Sequence, residues 1–341
     1  MNSSSVMIAV FGLFGILYGV ILQRSNFCFA RATFELFLSR SREALNGVLV
    51  GLAVGTLGFA AVTVVRLRLG LPTEGHLLLL PYGLGTLLGA AIFGLGMSLA
   101  GMCVVGSLVR IGEGYLVGGL ALIGAAAGAA LDPFRAFLPM GQPPWLLHNA
   151  AGESFANRLG LPAAALLTLA ALAVIWLLAA RTAGPRADRG ARISLRELAS
   201  PLVVGGALLA VLNTVQMAVY QPWTIAYPLG VVAAAAAGQF SPSLFSRALP
   251  LLVLDGGVVL GAAMSALAGR ELRLRWPRQR RQVGMSLIGG VLMGWGVQLA
   301  HGCNIGGLFS ALPSLSLSAW LFLPGLFAGA WLGSLILRRV S

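Results

Sequence analysis

Residues 94–108, GLGMSLAGMCVVGSL, and residues 294–308, GWGVQLAHGCNIGGL, are two copies of one motif that lie 200 residues apart. The copies align without a gap, and their cysteines fall on each other. Over 87–108 and 287–308, nine of the 22 aligned positions are identical, which indicates an internal duplication. Each copy predicts an apolar, glycine-rich helix that ends at a break containing a cysteine.

The same spacing occurs a third time in GVILQRSNFCFA at 19–30, where a glycine precedes Cys28 by nine residues. A fourth, degenerate copy is predicted at 206–230, where QPWT at 221–224 interrupts an apolar stretch that has no cysteine. Duplication within duplication is typical of membrane transporters and channels, whose site lies between the repeats. The repeats therefore predict two pseudo-symmetric halves with a site at their interface.

The composition excludes a soluble protein. Of the 341 residues, 58% are hydrophobic and only 10% are charged, and the mean hydropathy is +0.89. The apolar segments are long unbroken runs, which favours helices over a β-barrel. We predict an all-α polytopic integral membrane protein with about nine transmembrane helices plus re-entrant loops or half-helices. The apolar segments are 6–23, 44–65, 81–100, 114–131, 162–180, 199–219, 228–238, 248–267, 283–300 and 317–337.

The arginines predict the orientation in the membrane. The net charge of +13 comes from 23 arginines and no lysine, against 10 acidic residues. They cluster at the ends of apolar segments, as the positive-inside rule and anionic headgroups explain, so no nucleic-acid partner is expected. Basic stretches at 181–197 and 270–282 are predicted to be cytoplasmic, with the N-terminus periplasmic and the C-terminus cytoplasmic. The predicted organisation is an N-terminal half at 1–180, a basic linker at 181–198 and a C-terminal half at 199–341.

The breaks that follow the apolar helices are candidates for a transport path. Non-helical backbone at membrane depth is tolerated only where it is buried in protein or lines a cavity. Glycines let the backbone turn sharply, and a half-helix that begins beyond them offers free N–H groups to an anion. The loop glycines that we predict to shape the path are Gly101, Gly106, Gly302 and Gly306.

The three cysteines are the strongest candidate site residues. A single cysteine in a transmembrane segment is most often a small hydrophobic residue, but Cys28, Cys103 and Cys303 all occupy the same repeat position. Their odd number and wide separation argue against a disulfide framework. A thiol is polarisable and a weak donor, so it can contact a soft sulfur atom loosely, as conduction requires. The thiols therefore predict a path for a small sulfur-containing anion.

Polar residues beside the cysteines extend this candidate path. Intramembrane polar and ionisable residues are functional candidates by default, although an arginine at a helix end also reaches headgroups and a histidine also packs between helices. Arg110 and Glu113 are interpreted as a structural ion pair that fixes a loop. The further residues predicted to lie on the substrate path are Gln23, Arg24, His301 and Asn304.

Three stretches resemble the YeeE/YedE family of sulfur transport membrane proteins. They are LQRSNFCFARATFELF at 22–37, GMCVVGSLVRIGEGYL at 101–116 and AHGCNIGGLFSALPSLSLSAWLF at 300–322. The resemblance implies an hourglass of two pseudo-symmetric halves in a bacterial inner membrane. It also implies uptake of thiosulfate, passed along the thiols of Cys28, Cys103 and Cys303. A small cytoplasmic sulfurtransferase-like protein, similar to TusA, is the partner that it implies.

Other functions remain open at this stage. The cargo could be a selenium species or another reduced sulfur species, because the loops do not separate these solutes. A membrane thiol oxidoreductase is disfavoured, since there is no C-x-x-C pair. A soft-metal channel would suit three thiols but not glycine loops built for anions. We predict no enzyme activity, no cofactor and no metal site, and the absence of lysine excludes a Walker A nucleotide motif.

Overall fold

The protein is an assembly of α-helices in the computed structural model. The structure describes residues 3–39, 41–72, 76–130, 152–182, 200–239, 241–277 and 279–340, and these ranges contain no β-strand. Two segments, Glu35–Ser39 and Asn304–Ser310, are π-helical. The α-helices are α1 (Ser3–Ser25), α2 (Phe29–Phe34), α3 (Glu43–Arg68), α4 (Leu84–Ala100), α5 (Val104–Gly112), α6 (Leu116–Ala130), α7 (Phe155–Leu159), α8 (Leu161–Thr182), α9 (Pro201–Val219), α10 (Ala226–Ala236), α11 (Pro242–Ala268), α12 (Arg280–Ala300) and α13 (Leu317–Val340).

Eight helical segments in the described ranges are long and apolar enough to cross a membrane. They confirm the prediction of an all-α polytopic membrane protein, although about nine crossings were expected. Of the ten predicted apolar segments, two are too short to cross. The segments at 114–131 and 228–238 form α6 and α10, which have 15 and 11 residues, and a crossing needs about 20 residues.

The helices pack in four parallel pairs around one antiparallel pair. The parallel pairs are α1 with α11, α3 with α9, α4 with α13, and α6 with α12, and the central antiparallel pair is α4 with α12. Exchanging α1 with α9, α3 with α11, α4 with α12 and α6 with α13 maps this set of contacts onto itself. This pattern is the one expected of two inverted halves. The basic linker predicted at 181–198 lies almost wholly outside the described residues, so the boundary between the halves stays a prediction.

Equivalent glycines of the two motif copies make equivalent contacts. A Cβ atom on Gly89 would lie 2.5 Å from the backbone nitrogen of Ala300, and one on Gly289 would lie 2.6 Å from that of Ala100. Both distances are too short for a side chain. The glycines are therefore needed for the close approach of α4 and α12, as small residues are in membrane helix packing.

Arginine-bearing segments that are distant in sequence meet on one side of the helical assembly. The segment 270–277 after α11 lies beside the turn between α5 and α6, where the N–H of Arg273 donates to the carbonyl of Glu113. The end of α13 reaches the same side, because Arg338 donates to the carbonyl of Phe37. We call this the basic side. The opposite side carries the start of α4 and the start of α13.

Candidate functional site

Each cysteine follows a helix that ends in the same way. Asn26, Gly101 and His301 lie two residues before a cysteine, and all three have positive φ angles, of 51°, 72° and 56°. This left-handed conformation ends a helix and reverses the local direction of the backbone. The cysteine then takes an extended conformation and caps the next helical segment. The shared break explains why all three thiols enter the interior.

The three thiols converge inside the protein. All three cysteines are free; Cys103 and Cys303 are buried, and Cys28 is half-buried. The thiols of Cys28 and Cys103 lie beside each other next to Gly106, and Cys303 lies within electrostatic range of Cys103. The N–H of Gly106 donates to the Cys103 sulfur at 3.4 Å. Three repeats therefore contribute to one site.

A cavity on the basic side opens at Cys28. It has a volume of about 370 Å³ and is lined by Cys28, Gly101, Gly106 and two arginines. Arg31 pairs with Glu35 at 2.5 Å. The second arginine, Arg110, pairs more loosely with Glu113, at 3.4 Å. Burial raises the pKa of Glu113 above its ordinary value, and the positive charge of Arg110 opposes that shift.

A second cavity opens on the opposite side, near Cys303. Its volume is about 800 Å³, and Gln221, Thr224 and His301 are among its lining residues. The break between α9 and α10 therefore forms part of the wall, and its interpretation as a degenerate fourth repeat stays a prediction. A Cβ on Gly306 would lie 2.7 Å from Thr224 Oγ1, so the break packs tightly against the segment that follows Cys303.

Backbone N–H groups from two segments lie near the Cys303 sulfur. Those of Ile305 and Gly306 come from the segment that follows the cysteine, and that of Ile225 comes from the break between α9 and α10. The buried Asn304 donates to Met97 Sδ at 3.1 Å. Donors from two different repeats thus face one thiol, which suits an anion that passes it.

The remaining predicted glycines take different roles at the breaks. Gly101 provides the left-handed end of α4, and a Cβ there would meet no atom within 4 Å. At Gly302 a Cβ would lie 2.9 Å from the Cα of Gly307, so backbone meets backbone. Gly106 lies between the Cys28 and Cys103 thiols, and a Cβ on it would lie 3.6 and 3.7 Å from the two sulfur atoms. Gly106 is therefore the glycine that faces the thiols most directly.

Gln23 and Arg24 are not brought to the thiols. Gln23 donates to Glu271 and accepts from Ser265 Oγ, each at 2.7 Å. Arg24 donates to the carbonyl of Ser265 at 3.1 Å, near the end of α11. Neither lines the basic-side cavity. These contacts join α1 to α11, and the predicted place of both residues on the substrate path stays untested.

Sequence reasoning missed Arg31 and Thr224, and it gave Arg110 a structural role only. Arg31 follows Cys28 by three residues, and Arg110 follows Cys103 by seven. Both lie inside the short helices that follow the breaks. Thr224 lies in the repeat without a cysteine. The signal for both arginines was a cation on an otherwise apolar half-helix.

The structure is that of a multi-pass helical membrane protein, with cysteines at helix breaks between two cavities. The sequence profile of the family described as "Sulphur transport" matches residues 24–332. The chain belongs to this sulphur transport family, which confirms the resemblance carried by the three motifs. It is a transport family and not an enzyme family, in agreement with the prediction.

Curated relatives match the chain over nearly its whole length. A protein named "Thiosulfate transporter TsuA" from Spirochaeta thermophila is 30% identical over 346 residues, covering 96% of this chain and 98% of the relative. A protein of the same name from Escherichia coli is 27% identical over 336 residues, covering 94% and 92%. The "Probable transporter YedE" of E. coli is 37% identical over 89 residues, which cover 25% of this chain and 22% of the relative.

Proposed function

We propose that this protein takes up thiosulfate through a path lined by Cys303, Cys103 and Cys28. The observation that carries the proposal is the convergence of three thiols, from three separate helix breaks, between two cavities. The near-full-length relatives named as thiosulfate transporters support this cargo. For the same reason a selenium cargo is not favoured.

The chemistry of the path suits a divalent anion with one soft sulfur atom. Neutral thiols and backbone N–H groups contact the anion without holding it as tightly as a fixed charge would, and conduction requires such weak sites. The anion enters from the opposite-side cavity, passes the thiols by non-covalent contact, and reaches the cavity of Arg31 and Arg110. There the guanidinium groups attract it while remaining close to water.

The charge difference between the two sides supports an orientation. The segment 270–277 and Arg338 lie on the basic side, which the positive-inside rule assigns to the cytoplasm. In a bacterial inner membrane this orientation makes the start of α1 periplasmic and the end of α13 cytoplasmic. Accessibility of cysteines introduced at exposed positions of each side, labelled in intact cells, tests the orientation. Labelling of the basic side from outside would contradict it.

A soluble TusA-like sulfur acceptor would work on the cytoplasmic side. Removing thiosulfate as it leaves the basic-side cavity keeps its gradient directed inward. Enclosing such an acceptor in vesicles is expected to raise net uptake while leaving one-for-one exchange unchanged. Equal net uptake with and without the acceptor would argue against this partner.

Replacing the central thiol is the direct test of the path. Cys103→Ala is expected to lower uptake of radiolabelled thiosulfate into proteoliposomes by about 10- to 100-fold, because a contact with a charged group contributes about 1.5–3 kcal/mol. Cys303→Ala is expected to behave alike. Both variants should also fail to rescue growth on thiosulfate while remaining in the membrane.

A matched control is Ser334→Ala, which removes a similarly small buried polar group on α13, where Ser334 bonds only within its own helix. This variant is expected to transport at the wild-type rate. Wild-type uptake by both cysteine variants would overturn the proposed path. Competition by sulfate, sulfite and selenium oxyanions in the same assay would establish the cargo.

A further inference from the structure

Asp255 is an acidic residue in the middle of a membrane-spanning helix. It lies midway along the 27 residues of α11, which is long and apolar enough to cross a bilayer. Its Oδ1 atom is buried and has no hydrogen-bond partner among the described residues. Ionisable groups at this depth are costly, so they are candidates for function by default. The thiol path does not include Asp255.

Two other buried polar atoms, one on Trp223 beside this carboxyl and one on Tyr18 beyond it, are also unsatisfied. The carboxyl faces the indole of Trp223. The ring of Tyr18 stacks on that indole, with centroids 4.1 Å apart and planes inclined by 21°. Within the described ranges, neither Trp223 Nε1 nor Tyr18 Oη has a hydrogen-bond partner, and both atoms are buried. Such a cluster is completed by a proton, a water molecule or a ligand.

The basic groups of α1 and α5, which pack against α11, are engaged elsewhere. Arg24, near the end of α1, donates to a backbone carbonyl of α11 ten residues beyond Asp255. Arg110, near the end of α5, pairs with Glu113. Among the described residues, neither helix therefore directs a cation at the carboxyl.

The polar and charged groups of α10 and of α11 itself also place no cation against Asp255 among the described residues. On α10, which packs against α11, Tyr227 donates to a carbonyl near the start of α11. Arg247 is on α11 itself, eight residues earlier, where it lines the opposite-side cavity. Among the described residues, Cys303 also lies within electrostatic range of Asp255. A carboxylate left without a cation in the membrane interior is costly, and an anion brought near it raises that cost, so the approach of an anion favours proton uptake.

Trp223 links this carboxyl to the thiol path. Its backbone N–H donates to Asn213 at 2.9 Å, and its carbonyl accepts from Ser310 Oγ at 2.6 Å, in the segment that follows Cys303. The next residue, Thr224, lines the opposite-side cavity. An anion beside Cys303 would therefore face Asp255 across one side chain, and its negative charge would favour the protonated acid. By linkage, the protonated acid favours the anion equally.

We propose that Asp255 carries a proton inward with the sulfur anion. The acid takes its proton from the opposite side when the anion reaches Cys303 and releases it toward the basic side when the anion leaves. One proton cancels one of the negative charges that an inside-negative potential opposes. The inference rests on the proposed function, because it assigns a coupling ion to the same path.

Proteoliposomes that enclose a pH-sensitive dye measure this coupling directly. With the membrane potential clamped, adding thiosulfate outside is expected to acidify the lumen. If one proton enters per anion, an outside-acid gradient of one pH unit raises the accumulation ratio about tenfold. Exchange of labelled thiosulfate at equal pH reports the path without the gradient. Absence of exchange in the wild type would contradict the proposed function, whereas exchange without acidification would overturn the coupling alone.

Asp255→Asn keeps the size of the side chain but cannot release a proton. This variant is expected to retain exchange at equal pH within about twofold and to lose both the acidification and the gradient response. Asp255→Glu is expected to retain both responses. Loss of exchange as well as coupling in a folded Asp255→Asn protein would overturn the proposal, because the residue would then be structural.

Replacing two other acidic residues tests whether the proton response comes from a carboxyl other than that of Asp255. Glu43→Gln removes an exposed acid at the start of α3 and is expected to respond like the wild type. Glu113→Gln removes the acid of the basic-side cavity and is expected to keep the acidification. An acidification that disappears in Glu113→Gln but persists in Asp255→Asn would assign the proton to the cavity and overturn the role of Asp255.

Discussion

The two copies of the central motif end in opposite ways, although they share glycines, a cysteine and an offset of 200 residues. Seven residues after Cys103 comes Arg110, which faces water in the basic-side cavity. Seven residues after Cys303 comes Ser310, which is fully buried and bonded to its surroundings. The copy at 94–110 therefore ends at an exposed arginine beside a cavity, and we call it the open copy. The copy at 294–310 ends at a buried, hydrogen-bonded serine, and we call it the sealed copy.

The sealed copy is fastened to the repeat that lacks a cysteine. Ser310 Oγ donates to the carbonyl of Trp223 and accepts from Asn213 Nδ2 at 3.1 Å, while Asn213 Oδ1 accepts from the N–H of Trp223. On the copy that contains Cys103, the contacts of Arg110 among the described residues are an ion pair with Glu113 and the ring of Tyr115. The duplicated motif thus has one backbone frame in two forms, a buried copy held by side-chain hydrogen bonds and a charged, exposed copy, which fits the entrance and exit proposed above.

The largest effect on thiosulfate uptake is expected when the equivalent glycines of the two copies, Gly306 and Gly106, are replaced. Gly306→Ala would place a Cβ 2.7 Å from Thr224 Oγ1, so the sealed copy must shift, and uptake is expected to fall by about tenfold or more. Gly106→Ala would place its Cβ 3.4 Å from Met102 Cβ and 3.6 Å from the Cys28 sulfur, which are ordinary contacts. Its uptake is expected to fall by less than about threefold. Initial rates in proteoliposomes check both values, and a greater loss at Gly106 would reverse the assignment of the sealed copy.

A smaller effect is expected when the hydrogen bonds of Ser310 to the neighbouring repeat are removed without a steric clash. Ser310→Ala leaves a buried amide N–H and a buried carbonyl without a partner, which costs about 1–3 kcal/mol of stability. We expect a lower Tm in detergent and a moderate loss of uptake. The matched variant on the open copy, Ser107→Ala, removes a buried hydroxyl that bonds only to Cys103 O in its own helix, and a smaller Tm change is expected. Equal Tm values for the two variants would show that the contact between repeats is not special.

The comparison of the two copies also separates the features that sequence could predict from those that it could not. The repeated glycine and cysteine spacing predicted the breaks, the converging thiols and the membrane class, because these depend on local pattern. Gln23 and Arg24 illustrate the limit, since both lie near Cys28 in sequence but face α11 in the fold. Which face of a helix meets which neighbour is decided by contacts between distant segments. Thr224 was not singled out because its role depends on Gly306, 82 residues away.

The smallest effect is expected at the exposed arginine of the open copy. The guanidinium groups of Arg110 and Arg275 both lie over the Tyr115 ring, each 4.8 Å from the ring centroid. This stack holds a guanidinium beside the exit, but the group is exposed, so its attraction for the anion is screened. Arg110→Gln is therefore expected to raise KM for thiosulfate by about two- to fivefold, in line with an exposed charge contribution of up to about 1 kcal/mol.

Salt and a matched arginine sharpen this last prediction. The KM difference between Arg110→Gln and the wild type should shrink as ionic strength rises, because screening removes the attraction that the variant lacks. Arg158→Gln removes another exposed arginine paired with an acid, Glu153, on the side away from the exit, and its KM is expected to equal that of the wild type. If Arg158→Gln raised KM as much as Arg110→Gln, the cause would be the net charge of the protein rather than the position of Arg110. The exposed arginine would then be an incidental difference between the two copies.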